Sequence, residues 1–253
     1  MDITTFALSE RGSRDYNEDA HGDAELMAGR CVIVADGAGG HRGGGVASKL
    51  VVESALLYLA SAPIFKSETL VSAIDAATSA LHRRQLDEPP LREMSSTVAL
   101  LCVDALSGTA RWAHLGDSRL LVFRAGRVRQ LTRDHSVVQS LADAGMLSKG
   151  IASSKVDRTA LYAAVGAEGD TRPVAGEPIQ PRNGDAFLLC TDGAWDSVSP
   201  GRMSALLRRA RTVQQWVTQI GEAVVQAGKA NQDNYTVVGL WVGSPDAAGT
   251  LPT

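Results

Sequence analysis

Two hydrophobic rhythms alternate along the chain. Short, wholly apolar runs rich in β-branched residues read as buried strands, and longer stretches with apolar residues three and four apart read as amphipathic helices. A first strand is expected over residues 4–8. A second, Cys31-Val32-Ile33-Val34-Ala35, runs straight into Asp36 and a cluster of glycines. Residues 46–62 carry Val46, Leu50, Val51, Ala55, Leu56 and Leu59 along one helical face, closed by Pro63. A second helix is expected over 68–86, capped by Ser67, with Leu70, Ile74, Ala77 and Leu81 inward. Strands are then predicted over 95–104, 110–115 and 120–124, with Leu106-Ser107-Gly108-Thr109 and Ala125-Gly126 as turns, leading to Val128 and Leu131. Their close succession reads as an antiparallel meander. After a short helix over 137–144 the periodicity fades, and 146–182 reads as an irregular surface insertion of the kind that carries selectivity. A strand at 186–190, helices over 201–209 and 213–227, and a strand at 235–242 complete the order, with 243–253 as a flexible tail. Neither linker nor repeat interrupts residues 1–242, so a single domain is expected there.

Composition narrows the class. The 253 residues are 44% hydrophobic and 21% charged, ordinary for a globular protein with a substantial core. A net charge of −3 and a pI near 6.0 point to neither nucleic acid nor an anionic membrane as partner. No stretch is expected to reach the roughly 18 apolar residues of a membrane span. The start, Met1-Asp2-Ile3-Thr4-Thr5, lacks the basic and apolar regions of a signal peptide. Cys31, Cys102 and Cys190 each sit in an apolar run and read as small core hydrophobes. Their odd number, without C-x-x-C spacing, argues against a disulfide framework and a zinc site. The expected compartment is the cytoplasm.

The polar positions that interrupt this pattern are where chemistry can sit. Asp36 lies where its strand leaves the core, with Gly37, Gly39 and Gly40 behind it. A fixed carboxylate beside a bare main-chain carbonyl suits a hard cation, and an ordinary tight turn is equally open at this point. A phosphate cradle is disfavoured, since neither G-x-G-x-x-G nor G-x-x-x-x-G-K-[ST] is present. Asp192 and Asp233 also stand at strand ends, and Asp117 occupies a turn between strands. Asp19 closes a polar run, 9–19, in which Arg14 offers a planar fork for phosphate oxygens. Singly, each reads as well as a solvated loop or turn residue. Gathered together, such carboxylates repel one another unless they share cations, and an all-oxygen donor set favours Mg²⁺ or Mn²⁺ over zinc.

The strings Arg14-Asp15-Tyr16-Asn17-Glu18-Asp19, Val34-Ala35-Asp36-Gly37-Ala38-Gly39-Gly40-His41, Ser95-Ser96-Thr97, Gly116-Asp117-Ser118-Arg119, Leu131-Thr132-Arg133-Asp134-His135-Ser136, Thr191-Asp192-Gly193-Ala194-Trp195-Asp196 and Gln232-Asp233-Asn234-Tyr235-Thr236 follow in a telling order. Over about residues 4–242 the chain resembles the metal-dependent protein phosphatases, the protein phosphatase 2C family, in their compact bacterial form. The resemblance implies an α+β, four-layer αββα sandwich: two antiparallel β-sheets flanked by helix pairs. It implies a site for two Mn²⁺ or Mg²⁺ ions, bridged by Asp36 and completed by the Gly37 carbonyl, Asp192 and Asp233. Asp19 would act there directly or through water, with Glu18 supporting the water shell. Asp117, with Asp192, matches the position of a third ion, and Arg14 matches the phosphate-binding arginine. The implied reaction is hydrolysis of phosphoserine and phosphothreonine monoesters, by a water held between the ions, with Arg14, Asp36 and Asp192 as catalytic residues. The implied substrates are phosphorylated proteins, and the implied setting is a monomer opposing a bacterial Ser/Thr kinase. Ala38 stands where some eukaryotic members carry a histidine; His41 lies three residues on and is not given that role, and His21, His114 and His135 read as structural. The alternative is a non-catalytic phosphatase-like scaffold, disfavoured because every metal aspartate is in place.

Overall fold

Strands that are apolar at every position must be covered on both faces, and that requirement sets the layers of the molecule. The computed structural model describes residues 2–39, 43–146, 160–169 and 172–243. One antiparallel sheet contains β1 (Ile3–Glu10), β7 (Arg119–Arg124), β8 (Arg127–Gln130), β10 (Ala186–Cys190) and β11 (Tyr235–Val242), in the order β1-β11-β10-β7-β8. The other contains β2 (Asp19–Leu26), β3 (Gly29–Ala38), β5 (Val98–Asp104), β6 (Ala110–Leu115) and β9 (Val174–Ala175), in the order β2-β3-β5-β6-β9. A two-residue strand, β4 (Ser95–Ser96), pairs with the end of β3. Helices α1 (Gly43–Ala60) and α2 (Ser67–Asp87) cover the second sheet, and α5 (Pro200–Leu207) and α6 (Val213–Gln226) cover the first. Two short helices, α3 (Val137–Asp143) and α4 (Asp192–Trp195), lie at connections.

Alternation along β3 and β10 shows how one run serves two cores. Cys31, Ile33 and Ala35 pack toward α1 and α2, while Val32 and Val34 turn between the sheets to meet Phe187, Leu189, Val238 and Leu240. Leu188 and Cys190 turn the other way, onto Trp216, Val217 and Ile220 of α6. The result is the expected αββα sandwich.

Several local expectations are corrected. The strand β2 gives no hydrophobic run because its sequence, Asp-Ala-His-Gly-Asp-Ala-Glu-Leu, offers the covered face Ala20, Gly22 and Ala24 before its one large apolar residue, Leu26. Gly22 has no room for more, since a Cβ there would meet Leu56 and Val52 at 2.7 and 2.9 Å. Lys66, not Ser67, holds the N-cap of α2, and Ser67 is the first helical residue. The strands around Asp117 are not a meander: β6 pairs with β5 and β7 with β8 and β10, so residues 116–118 carry the chain from one sheet to the other. Cys31 and Cys102 stand opposite each other on β3 and β5, with Cα atoms 4.2 Å apart, and form a disulfide. Cysteine count and spacing along the chain carry no information about cross-strand register. The core-residue reading without a bond therefore holds for Cys190 alone among the three. By length and composition α1 counts as a candidate membrane span, against expectation, and Ala47, Val51, Ala55 and Leu59 of that helix pack into the core. Within the supposed surface insertion, Ala163 and Val165 are buried, and Val165 bridges to Ser96. Residues 147–159 of that segment, the tail from 244, Gly40 and His41 lie outside the described residues.

Candidate active site

A cleft of about 730 Å³ has a lining that includes Arg14, Glu18, Asp36, Gly37, Asp117, Asp192 and Asp233. The contributions come from both sheets. Asp36 is near the end of β3, Asp192 opens α4 directly after β10, Asp233 precedes β11, and Asp117 sits in the sheet-to-sheet connection. Asp19, the first residue of β2, lies opposite Asp36 in register and is buried beneath the lining. Gly37 is required by proximity: a Cβ there would fall 1.9 Å from the Gly44 carbonyl oxygen at the start of α1. Each expected site residue is thus at or under one cleft.

Burial and mutual repulsion shape the charges. Asp19 is pushed up to about 7, chiefly by burial, with hydrogen bonds from Thr236 and Thr191 opposing and the Asp192 and Asp233 charges adding. Asp117 is pushed up to about 7 by burial and then by Asp192 and Asp134, against the pull of Arg119. Burial, followed by the charges of Asp19, Asp192, Asp117 and Asp233, holds Asp36 well above the usual carboxylate range. Asp192 is raised by burial and by Asp233. At the rim, the Arg14 guanidinium donates to Asp233 at 2.7 Å; the arginine is largely exposed and Asp233 is half-buried.

The cleft suits divalent cations. Its donors are all oxygens, and Asp19 Oδ1 is buried without a hydrogen-bond partner among the described residues, an arrangement that a cation would relieve. Among the described residues, no three His, Cys, Asp or Glu side chains close into a ready-made ligand group.

A layer of supporting side chains, mostly uncharged, holds these acids, and the sequence pattern assigns it no role. Thr97 accepts from the Asp36 amide at 3.0 Å and donates its own amide to the Asp36 carbonyl at 2.8 Å, which Ser96 also meets from its hydroxyl. The Thr191 hydroxyl donates to Asp19 Oδ2 at 2.8 Å and accepts from the Thr236 amide at 2.9 Å. Asn234 donates to the carbonyls of Arg11 and Tyr16 and accepts from the Glu18 amide, each at 2.8 Å, so one amide side chain fixes the loop carrying Arg14. Trp195 donates to the Asp117 carbonyl at 3.1 Å; Arg119 stacks 3.5 Å over its ring and forks onto Asp134. His135 accepts from the Gly116 amide through Nδ1 and stacks on His114, which fits the structural role expected of both. Ser96, Thr97, Asn234 and Asp134 all fall within the strings that carried the resemblance, the one signal that could have marked them.

Fold and cleft together define an αββα protein with an oxygen-lined site for divalent cations beside an arginine suited to an anion. The model of the protein phosphatase 2C family matches residues 9–233, and the chain belongs to that family. It is 32% identical to the serine/threonine protein phosphatase PstP of Mycobacterium tuberculosis over 97% of its own length, and spans 46% of that protein. It is also 32% identical to the serine/threonine phosphatase stp of Listeria innocua, matching 91% of this chain and 92% of the relative. Among solved structures, the M. tuberculosis phosphatase PstP/Ppp superposes with a TM-score of 0.84 at 31% identity, covering 95% of this chain and 99% of that one. The PstP catalytic domain in complex with two manganese ions gives a TM-score of 0.82 at 30% identity, covering 96% and 99%.

Proposed function

We propose that the chain is a metal-dependent serine/threonine protein phosphatase, hydrolysing phosphoserine and phosphothreonine monoesters in proteins. The observation that carries this reading is the buried carboxylate cleft with an unsatisfied Asp19 oxygen beneath it and Arg14 at its mouth. Asp36, Asp19, Asp192, Asp233 and the Gly37 carbonyl would hold two Mn²⁺ or Mg²⁺ ions, Glu18 would support their water, and Asp117 with Asp192 would hold a third. When bound, such ions supply positive charge for phosphoryl oxygens and make water more acidic. The chain's own contribution is positional. Thr97 and Ser96 fix the backbone at Asp36, so the strand end that carries its carboxylate is held in place before substrate arrives. Arg14, exposed and paired with Asp233 at the rim, would exchange that carboxylate for a phosphate dianion. Because Ser and Thr phosphomonoesters are products of kinases, the proposal includes a Ser/Thr kinase as opposing activity. The enzyme is taken to work as a monomer.

The test is p-nitrophenyl phosphate hydrolysis with EDTA, Mn²⁺ or Mg²⁺, on wild type and Asp192→Ala together. Turnover that depends on the metal and collapses in the variant is the expected result. A folded wild type inactive with both metals sinks the enzyme reading and leaves a phosphatase-like scaffold.

A further inference from the structure

A second concave site lies away from the carboxylate cleft. At the end of β7 remote from Asp117, a groove of about 690 Å³ is lined by Arg124, Arg127, Arg129 and Arg182 over Val122 and Ile179, with no acidic residue in its lining. Arg124 forks onto the buried Asp185 and is neutralised. Arg127, Arg129 and Arg182 are exposed and make no ion pair among the described residues. Register explains their gathering. Arg127 pairs with Arg124 and Arg129 with Val122, so both turn to the face on which Val122 meets the inter-sheet core. Val128 turns the other way, toward α5 and α6. The strand carrying them, β8, is the last in its sheet. Five residue steps along β7 put the groove about 17 Å from the cleft end of that strand.

We propose that this groove docks an acidic, extended segment of the phosphoprotein substrate, at a distance from the residue being dephosphorylated. The proposal rests on the function argued above. Three uncompensated guanidinium groups on a chain of net charge −3 are a local reversal of sign, and carboxylates match their paired donors. The apolar floor and the bordering edge strand suit a peptide, whose stem carbons and backbone both need a surface. A bilayer or nucleic acid would meet the molecule's net negative charge over a much wider area. Docking of this kind raises the effective concentration of the tethered phosphoresidue, so it lowers KM and leaves kcat unchanged.

The experiment compares the whole chain with an Arg127→Glu/Arg129→Glu/Arg182→Glu variant on three substrates. These are p-nitrophenyl phosphate, a phosphothreonine peptide with a neutral extension, and the same peptide with a glutamate tract beginning about 5–10 residues away, about five being the fully extended minimum for about 17 Å at about 3.3 Å per residue. Expected is equal hydrolysis of p-nitrophenyl phosphate by both proteins, which also shows that the variant folds. Wild type should show a KM at least about tenfold lower for the acidic peptide, shrinking with added salt and absent in the variant. If the variant loses structure, Arg127→Gln/Arg129→Gln replaces it. No KM advantage in wild type, or one that survives in the variant, overturns the proposal and leaves the arginines as charges that blunt a sheet edge. Binding of anionic vesicles or DNA through these arginines, without peptide binding, also overturns it. If wild type hydrolyses nothing, a fluorescent unphosphorylated glutamate peptide decides: binding lost in the variant keeps the groove and sinks only the phosphatase reading, and no binding sinks the groove.

Discussion

The Thr191 hydroxyl ties two needs together in a place with no solvent. It donates a hydrogen bond to Asp19 Oδ2 and accepts one from the Thr236 amide, and the residue is fully buried. Thr191→Val keeps the shape but leaves the amide without that acceptor and the carboxylate without its donor. Loss of about 1–3 kcal/mol in urea unfolding is expected from the orphaned groups. The Mn²⁺ concentration for half-maximal p-nitrophenyl phosphate hydrolysis should rise about 10–100-fold, the usual cost of removing a group that orients a metal ligand. Thr191→Ser should recover most of the metal dependence. An unchanged Mn²⁺ titration in the valine variant would show that the hydroxyl is only structural. The acids themselves were legible in the sequence, because Asp36 and Asp192 each end an apolar run and so announce a fixed carboxylate at a rim. Thr191, Thr97 and Asn234 were not, since a hydroxyl or amide in a loop is unremarkable until folding brings its partner from far along the chain, 172 residues away for Thr191 and Asp19.

Elements that were apolar throughout read cleanly, and elements defined by what they pack against did not. The strands β10 and β11 fall where their hydrophobic runs begin and end. In contrast β2 depends on α1 to cover its small residues, and the switch between sheets at 116–118 depends on which neighbours β6 and β7 find. That switch rests on Gly116, whose φ of +104° is in the region that disfavours side chains. A Cβ there would also lie 2.7 Å from Cβ and Cγ2 of Thr97, the residue that pins Asp36. Gly116→Ala therefore combines backbone strain with overpacking, and a loss of about 2–4 kcal/mol is expected in urea unfolding. Activity should fall with it, because Thr97 cannot move without moving Asp36. Gly126→Ala is the control, since that glycine shares a positive φ of +74° but has nothing within 4 Å of the added atom. If both variants lose the same stability, contact with Thr97 contributes nothing and the effect is backbone alone.

At the scale of the whole molecule, the site is a seam. Asp19 and Asp36 belong to one sheet, and Asp192 and Asp233 flank strands of the other, so their repulsion pushes apart the layers that the inter-sheet core holds together. The pH dependence follows from Asp19 and Asp117, whose carboxyls are raised from 3.8 to about 7 on folding. Between those two values the folded chain binds more protons than the unfolded one, so the metal-free protein loses stability as pH rises from about 4 to about 7. Cations compete with protons for the same oxygens, so their stabilisation should run the opposite way with pH. In EDTA, the melting temperature should be lower at pH 8 than at pH 5. With Mn²⁺ at a thousandfold its dissociation constant, the gain should be about 4 kcal/mol at pH 8 and much smaller at pH 5. The emission of the four tryptophans gives the readout without reference to turnover. Asp36→Asn, by removing the carboxylate that faces most of the others, should raise the EDTA melting temperature at pH 8 while abolishing most of the Mn²⁺ shift. Should Mn²⁺ stabilise equally at both pH values, or the EDTA-treated protein gain stability toward pH 8, the carboxylates are not sharing one cation-dependent seam and the two sheets are held by their apolar interface alone.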